Sequence, residues 1–164
     1  DPVTGEEKLV QLGSPRRLRT IFRVNMQTAY AAGDWQQIQD NKAEAPLLMY
    51  DAVDDGNTRD EHRAWDGIVL PADDPWWSTH RPPNGWNCRC SVIQLSRSQA
   101  ERMGKAVPDQ APPVRTREYV NPRTGEISRV PVGIDPGWDY NPGASRQEHL
   151  RQALDDKLKA YRGG

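Results

Sequence analysis

Cys88 and Cys90 are the chain's only two cysteines, one residue apart in the run His80-Arg81-Pro82-Pro83-Asn84-Gly85-Trp86-Asn87-Cys88-Arg89-Cys90. Two of the three histidines, His62 and His80, precede them. Thiolate sulfur and imidazole nitrogen are the donors that zinc takes in a tetrahedral arrangement. His62, His80, Cys88 and Cys90 are therefore a candidate metal set, with structural zinc as the expected ion. Cys-x-Cys is less diagnostic than Cys-x-x-Cys. The competing reading has two small, semi-buried thiols and two histidines bonded to backbone carbonyls. A disulfide between the cysteines is disfavoured, because the Cα atoms of residues i and i+2 in extended chain approach the ~7 Å limit for bridging. Unbridged thiols favour a reducing compartment.

Other chemistry is weaker. A Cys–His nucleophile pair, with Arg89 lowering a thiolate pKa, rests on residue type alone. Asp51, Asp54, Asp55, Asp60, Glu61, Asp66, Asp73 and Asp74 could hold a divalent ion, but turns and helix starts account for most of them. The stretch Asp51–Asn57 lacks the terminal Glu spacing of a calcium loop. Trp65, Trp76, Trp77 and Trp86 cluster near the cysteines, with Trp35 and Trp138 outside. They suit a loop-rich core or an interface better than base stacking, since basic residues are thin among them.

The elements that position these residues follow from local signals. Ser14-Pro15 is a helix start, and Leu18, Ile21, Phe22, Met26, Ala29 and Tyr30 recur at helical spacing. The helix runs to about Ala32, or through Gly33 to about Asn41. Leu47–Val53 reads as a buried strand, followed by the turn Asp54–Asn57. Thr58-x-x-Glu61 matches a capping box for a short helix carrying His62 to about Trp65 and ending at Asp66-Gly67. Ile68–Leu70 is a second strand, Pro71–Asn87 a Trp/Pro-rich loop, and Arg89–Leu95 an extended segment with Cys90, Val92 and Gln94 on one face. Residues 104–114 are a Pro-rich connector. Residues 117–120 and 127–130 flank a turn as a hairpin. Ser145-x-x-Glu148 opens a last helix with Leu150, Leu154, Leu158 and Tyr161 in a narrow stripe that suits docking on a partner.

The chain has 164 residues, about one domain, with 35% hydrophobic residues, 14 prolines and 13 glycines. That composition predicts a small core assisted by a metal or a partner. The 22 basic and 23 acidic residues nearly cancel, which removes the global electrostatic case for nucleic acid. The cluster Arg16-Arg17-Leu18-Arg19 reads as a solvated helical turn. No stretch approaches the ~20 apolar residues of a membrane span. No signal peptide is read, and the start at Asp1–Gly5, without Met, is expected to be a loop in a fragment of a longer protein.

Three blocks carry a resemblance: Leu18–Trp35; Tyr50–Val53 through Thr58-Arg59-Asp60-Glu61-His62 and Asp66-Gly67 to Pro82-Pro83-Asn84-Gly85-Trp86-Asn87-Cys88-Arg89-Cys90; and Asp135–Gly143. Their order and spacing resemble the C-terminal portion of the phage Mu F-like family of minor head, or head-morphogenesis, proteins. The motif positions are Thr58, Arg59, Asp66, Gly67, Pro82, Pro83, Asn84, Asn87 and Arg89. Family members carry Cys-x-x-Cys where this chain has Arg59 to His62, and a histidine where it has Gly85. The resemblance thus leaves His62, Cys88 and Cys90 as the safer ligands, with His80 as compensation.

The resemblance implies a non-catalytic virion protein at the head interior or portal vertex, assembled in the host cytoplasm. Its partners would be the portal and other virion proteins, with DNA at most indirect and no membrane or small-molecule substrate. The rival it suggests is a toxin-associated module or metal-dependent nuclease-type toxin of a polymorphic toxin system. The expected fold is α+β: a long N-terminal helix on a small, mainly antiparallel sheet, a Trp/Pro-rich loop, and a C-terminal hairpin and helix. Residues 1–103 would form the Mu F-like core and 104–116 the connector. Residues 117–164 would pack on that core or on a partner. Partner contacts are expected from Trp76, Trp77, Trp86, Leu150, Leu154 and Leu158.

Overall fold

The computed structural model describes residues 13–105 and 107–162, so the start read at Asp1–Gly5 lies outside the described residues. Helix α1 spans Pro15–Asp40. Ser14 is extended and its side chain accepts from the Arg17 amide at 3.3 Å, with Pro15 at the first position. The helix runs through Gly33, around which there is open space.

Strands β1 (Leu47–Asp51), β2 (Val69–Pro71) and β3 (Ser91–Leu95) form an antiparallel sheet in the order β2-β1-β3. Leu48 stands opposite Leu70 on one side and Gln94 on the other, and Tyr50 opposite Val92. The period-two alternation sends Leu48 and Tyr50 into the main core. There they meet Trp35 and Ile38 of α1, Trp65, Leu70, Trp76, Trp77, Cys88, Cys90, Ile134 and Trp138. Leu47, Val69 and Leu95 line the other face with Ala100. Gln94 ties β3 to the end of α1 by donating to the Ile38 and Ala45 carbonyls at 2.9 and 2.8 Å.

Between the strands lie helices α2 (Asp60–Trp65) and α3 (Trp77–His80), the latter inside the segment expected to be all loop. Helix α4 (Arg97–Arg102) opens with a full Ser96–Gln99 capping box that the sequence reading passed over. A separate hairpin pairs β4 (Thr116–Val120) with β5 (Ile127–Pro131), and α5 spans Pro142–Arg162. The fold is α+β, as expected. None of the described helices is long and apolar enough to cross a membrane.

Three local expectations are corrected. The Thr58 capping box does not form: Arg59 is the cap residue of α2 without a side-chain cap bond, and the Thr58 hydroxyl donates to the Val53 carbonyl instead. Helix α5 starts before Ser145, because the Asn141 side chain accepts from the Gly143 and Ala144 amides and Pro142 takes the first position.

The third concerns α1, whose stripe of Leu18, Phe22, Met26 and Tyr30 faces solvent while Val24, Ala32, Trp35 and Ile38 are buried. A helix of 26 residues is about 39 Å long, whereas a strand of five residues covers about 17 Å. The sheet can cover only part of such a helix. Near its C-terminal half α1 meets α5, where Gly143 lies directly against Trp35. Leu150, Leu154 and Leu158 of α5 are all exposed.

Candidate functional site

Three of the four expected donors come together. His62 reaches inward from α2, and Cys88 and Cys90 from the segment entering β3. Their donor atoms all lie within 4.8 Å of one another, and all three residues are buried. His62 Nδ1 stands 3.8 Å from Cys88 Sγ and 3.4 Å from Cys90 Sγ. Both cysteines are free thiols.

The local chain explains this convergence. Cys88 closes a turn by donating its amide to the Gly85 carbonyl at 3.2 Å. The third residue of that turn, Asn87, has φ 59°, a left-handed conformation that asparagine tolerates. On the other side, His62 Nε2 donates to the Gly133 carbonyl at 2.8 Å, and its ring stacks on Trp65 with centroids 5.2 Å apart. That carbonyl places the ring proton on Nε2 and turns the Nδ1 lone pair to the sulfurs.

The thiols share protons unequally. The Cys90 thiol donates to Cys88 and lowers the Cys88 pKa to about 6, against the opposing effect of burial. The same bond, with burial, pushes Cys90 up to about 12. The thiolate is thus favoured on Cys88, and a cation held by both sulfurs would displace the remaining proton.

The geometry fits zinc. Zn–S of ~2.3 Å and Zn–N of ~2.0 Å at a tetrahedral angle place sulfur and nitrogen about 3.5 Å apart. The two observed separations bracket that value.

His80 is not part of the group. It stacks on Trp76 with centroids 4.4 Å apart, meets Trp65 edge-on, and shares a hydrogen bond of 2.7 Å with Thr79 through Nδ1. Burial lowers its pKa to about 4, so it is a neutral core residue. The four-donor expectation becomes a three-donor set among the described residues.

The positions carrying the resemblance mostly tie loops around this set. Arg59 pairs with Asp135 at 2.9 Å, and Asp135 also accepts from the Trp86 amide at 2.7 Å. Arg89 pairs with Asp55 at 2.6 Å and holds that carboxyl well below its usual range. Asn84 accepts from the buried Tyr50 hydroxyl at 2.9 Å, and its carbonyl accepts from the Asp135 amide at 2.9 Å. Asn87 accepts from Arg23. Asp66 accepts from the Ala52 amide at 2.8 Å, and Gly67, at φ 71°, donates to the Tyr50 carbonyl. Pro82 and Pro83 are buried, joined by a cis peptide.

Gly85, where the resemblance places a histidine, has a different use here. A Cβ there would meet Asp135 Oδ2 at 2.2 Å and Arg59 Nη1 at 2.9 Å. The absent side chain makes room for the Arg59–Asp135 pair. Asp135 and Gly133 were not among the site residues read from sequence, and their side-chain partners Arg59 and His62 lie more than seventy positions upstream.

A cavity of about 400 Å³ opens on the three donors and is lined also by Arg23, Asn57, Thr58, Arg59, Trp86 and Arg89. Of the tryptophans expected at a partner surface, Trp76 and Trp77 are buried in the core. Trp86 is half exposed, packed edge-on against Trp138.

The family model described as phage Mu protein F like protein matches residues 5–93. The "Putative capsid assembly protein F" of Escherichia phage Mu is 43% identical over 154 residues, covering 86% of this chain and 35% of that protein. The Mu-like prophage FluMu F protein of Haemophilus influenzae is 40% identical over 149 residues, covering 83% of this chain and 36% of its own length. The chain thus spans about a third of the length of these curated relatives. No solved structure matches. With a family model that covers more than half of its residues, the chain belongs to the phage Mu protein F like family.

Proposed function

We propose that this chain is a non-catalytic structural module of phage head assembly, acting at the portal through contacts with other virion proteins. The relatives named for capsid assembly and for a Mu-like prophage support the setting. The observation that carries the structural reading is the pair of long helices with uncovered apolar stripes: Leu18, Phe22, Met26 and Tyr30 on α1, and Leu150, Leu154 and Leu158 on α5. Exposed apolar rows of this kind mark protein interaction surfaces. Around the His–Cys cluster, the carboxylates that could act as bases are engaged, Asp55 with Arg89 and Asp135 with Arg59. The head interior or portal vertex is the location, and DNA is met through other head proteins. Zinc, held by His62 Nδ1 and the Cys88 and Cys90 thiolates, is the structural ion.

The test is a phage or prophage that encodes this chain with Leu154→Glu and Leu158→Glu together. The variant should keep the wild-type circular dichroism spectrum and be missing from purified heads. Heads that contain it at normal level would overturn the docking role. Hydrolysis of DNA by the purified protein with divalent ions, abolished by a single carboxylate change, would overturn the non-catalytic reading.

A further inference from the structure

Three donors leave a tetrahedral ion one place short. Among the described residues no fourth histidine, cysteine or carboxylate joins His62, Cys88 and Cys90. The open side is not packed with apolar atoms: all three donors line the cavity of about 400 Å³ that Arg23, Arg59 and Arg89 also line.

Charge indicates what would fit. A divalent ion with two thiolates is formally neutral. Arg59 is balanced by Asp135 and Arg89 by Asp55, whereas the described partner of Arg23 is the uncharged Asn87 amide. Among the described residues, three guanidiniums against two carboxylates leave one positive charge at the mouth. A monoanionic donor that enters there completes both the coordination and the charge balance.

We propose that the fourth coordination place of the His62–Cys88–Cys90 centre is filled from outside the domain, by an anionic oxygen ligand entering through the arginine-lined cavity. The proposal rests on the metal reading given above. The donor is a carboxylate, such as an acidic side chain of an assembly partner, or a phosphate-type oxygen, and the two are separable by experiment.

Cobalt(II) takes tetrahedral thiolate–imidazole sites and reports its coordination in its visible spectrum. The purified chain is loaded with cobalt and titrated separately with acetate and with inorganic phosphate. Thiolate-to-cobalt bands show that the metal is bound, and a saturable shift of the visible bands shows an exchangeable fourth place. A shift with acetate alone assigns a carboxylate ligand, and one with phosphate alone a phosphate-type ligand. A shift with both assigns the shared anionic oxygen chemistry. Arg23→Met should weaken the anion response about three- to tenfold, the effect of removing one partly solvated charge.

Arg59→Cys is the complementary variant. Position 59 is the cap residue of the helix that carries His62, and Arg59 lines the same cavity as the three donors. The substitution should add a sulfur band and abolish the response to either anion. Thiolate bands that neither anion moves in the wild-type protein would overturn the open place while leaving the metal intact. So would an unchanged response in a folded Arg59→Cys protein. Absence of thiolate bands in the wild type would overturn the metal reading itself, and the proposal with it.

Discussion

Gly143→Ala and Gly33→Ala are the same chemical change in the two long helices, and they should act in opposite directions. A Cβ on Gly143 would lie 2.1 Å from Trp35 Cβ, 2.4 Å from its Cγ and 2.5 Å from its Cδ1, where ordinary contact begins at 3.4 Å. The nearest of these atoms is fixed to the α1 backbone, so no rotamer change relieves the overlap. The helices must separate by more than an ångström, and overpacking of this kind costs about 1–3 kcal/mol. Alanine recovers up to about 1 kcal/mol through its better helix propensity. With the full recovery the net loss is up to about 2 kcal/mol, or up to roughly 8 °C in Tm for a domain of this size. A Cβ on Gly33 meets nothing within 4 Å, and only the propensity gain of about 0.5–1 kcal/mol remains. Urea titration followed by tryptophan fluorescence, with calorimetry for Tm, measures both. A Gly143→Ala protein at or above the wild-type midpoint would refute the close α1–α5 contact.

Two further outcomes follow from buried polar groups. The pKa of His80 lies near 4 in the fold, below its ordinary 6.5, so its contribution to stability is full above pH 6.5 and is lost as pH falls toward 4. The shift corresponds to about 3 kcal/mol. His80→Asn should flatten the fall in urea midpoint between pH 7 and pH 4, and an unchanged slope would sink that account. Tyr50→Phe removes the hydroxyl bonded to Asn84, whose Nδ2 has no partner among the described residues, and should cost about 1–3 kcal/mol in a urea titration. Wild-type stability in that variant would show that the buried pair is dispensable.

The sequence was most legible where signals are local and uncontested. Ser14-Pro15 opens α1 as read, and the 117–120 and 127–130 segments pair as a hairpin. Capping patterns were less dependable, because a hydroxyl takes whichever partner the tertiary fold presents. Thr58 is turned to Val53 rather than to α2, Asn141 starts α5 ahead of Ser145, and the Ser96–Gln99 box that does form went unread. Helical spacing showed that α1 has an apolar stripe but not what would cover it. For the site, residue type brought out His62, Cys88 and Cys90, whereas closeness in sequence misplaced His80. Its ring is held among Trp65 and Trp76 instead. The partners that orient the site, Gly133 and Asp135, are set by docking of a distant segment, and no local pattern announces them.

The contact among Gly85, Arg59 and Asp135 also constrains the order in which this site can be rewritten. Any side chain at 85 collides first with the ion pair, so that change is unfavourable while Arg59 and Asp135 remain. Exchanging Arg59 first leaves Asp135 still bonded to the Trp86 amide and partly open to solvent, a tolerable intermediate. The three positions therefore behave epistatically: the accessible mutational route to a fuller ligand set begins at residue 59, and a side chain at 85 further requires Asp135 to move or be replaced.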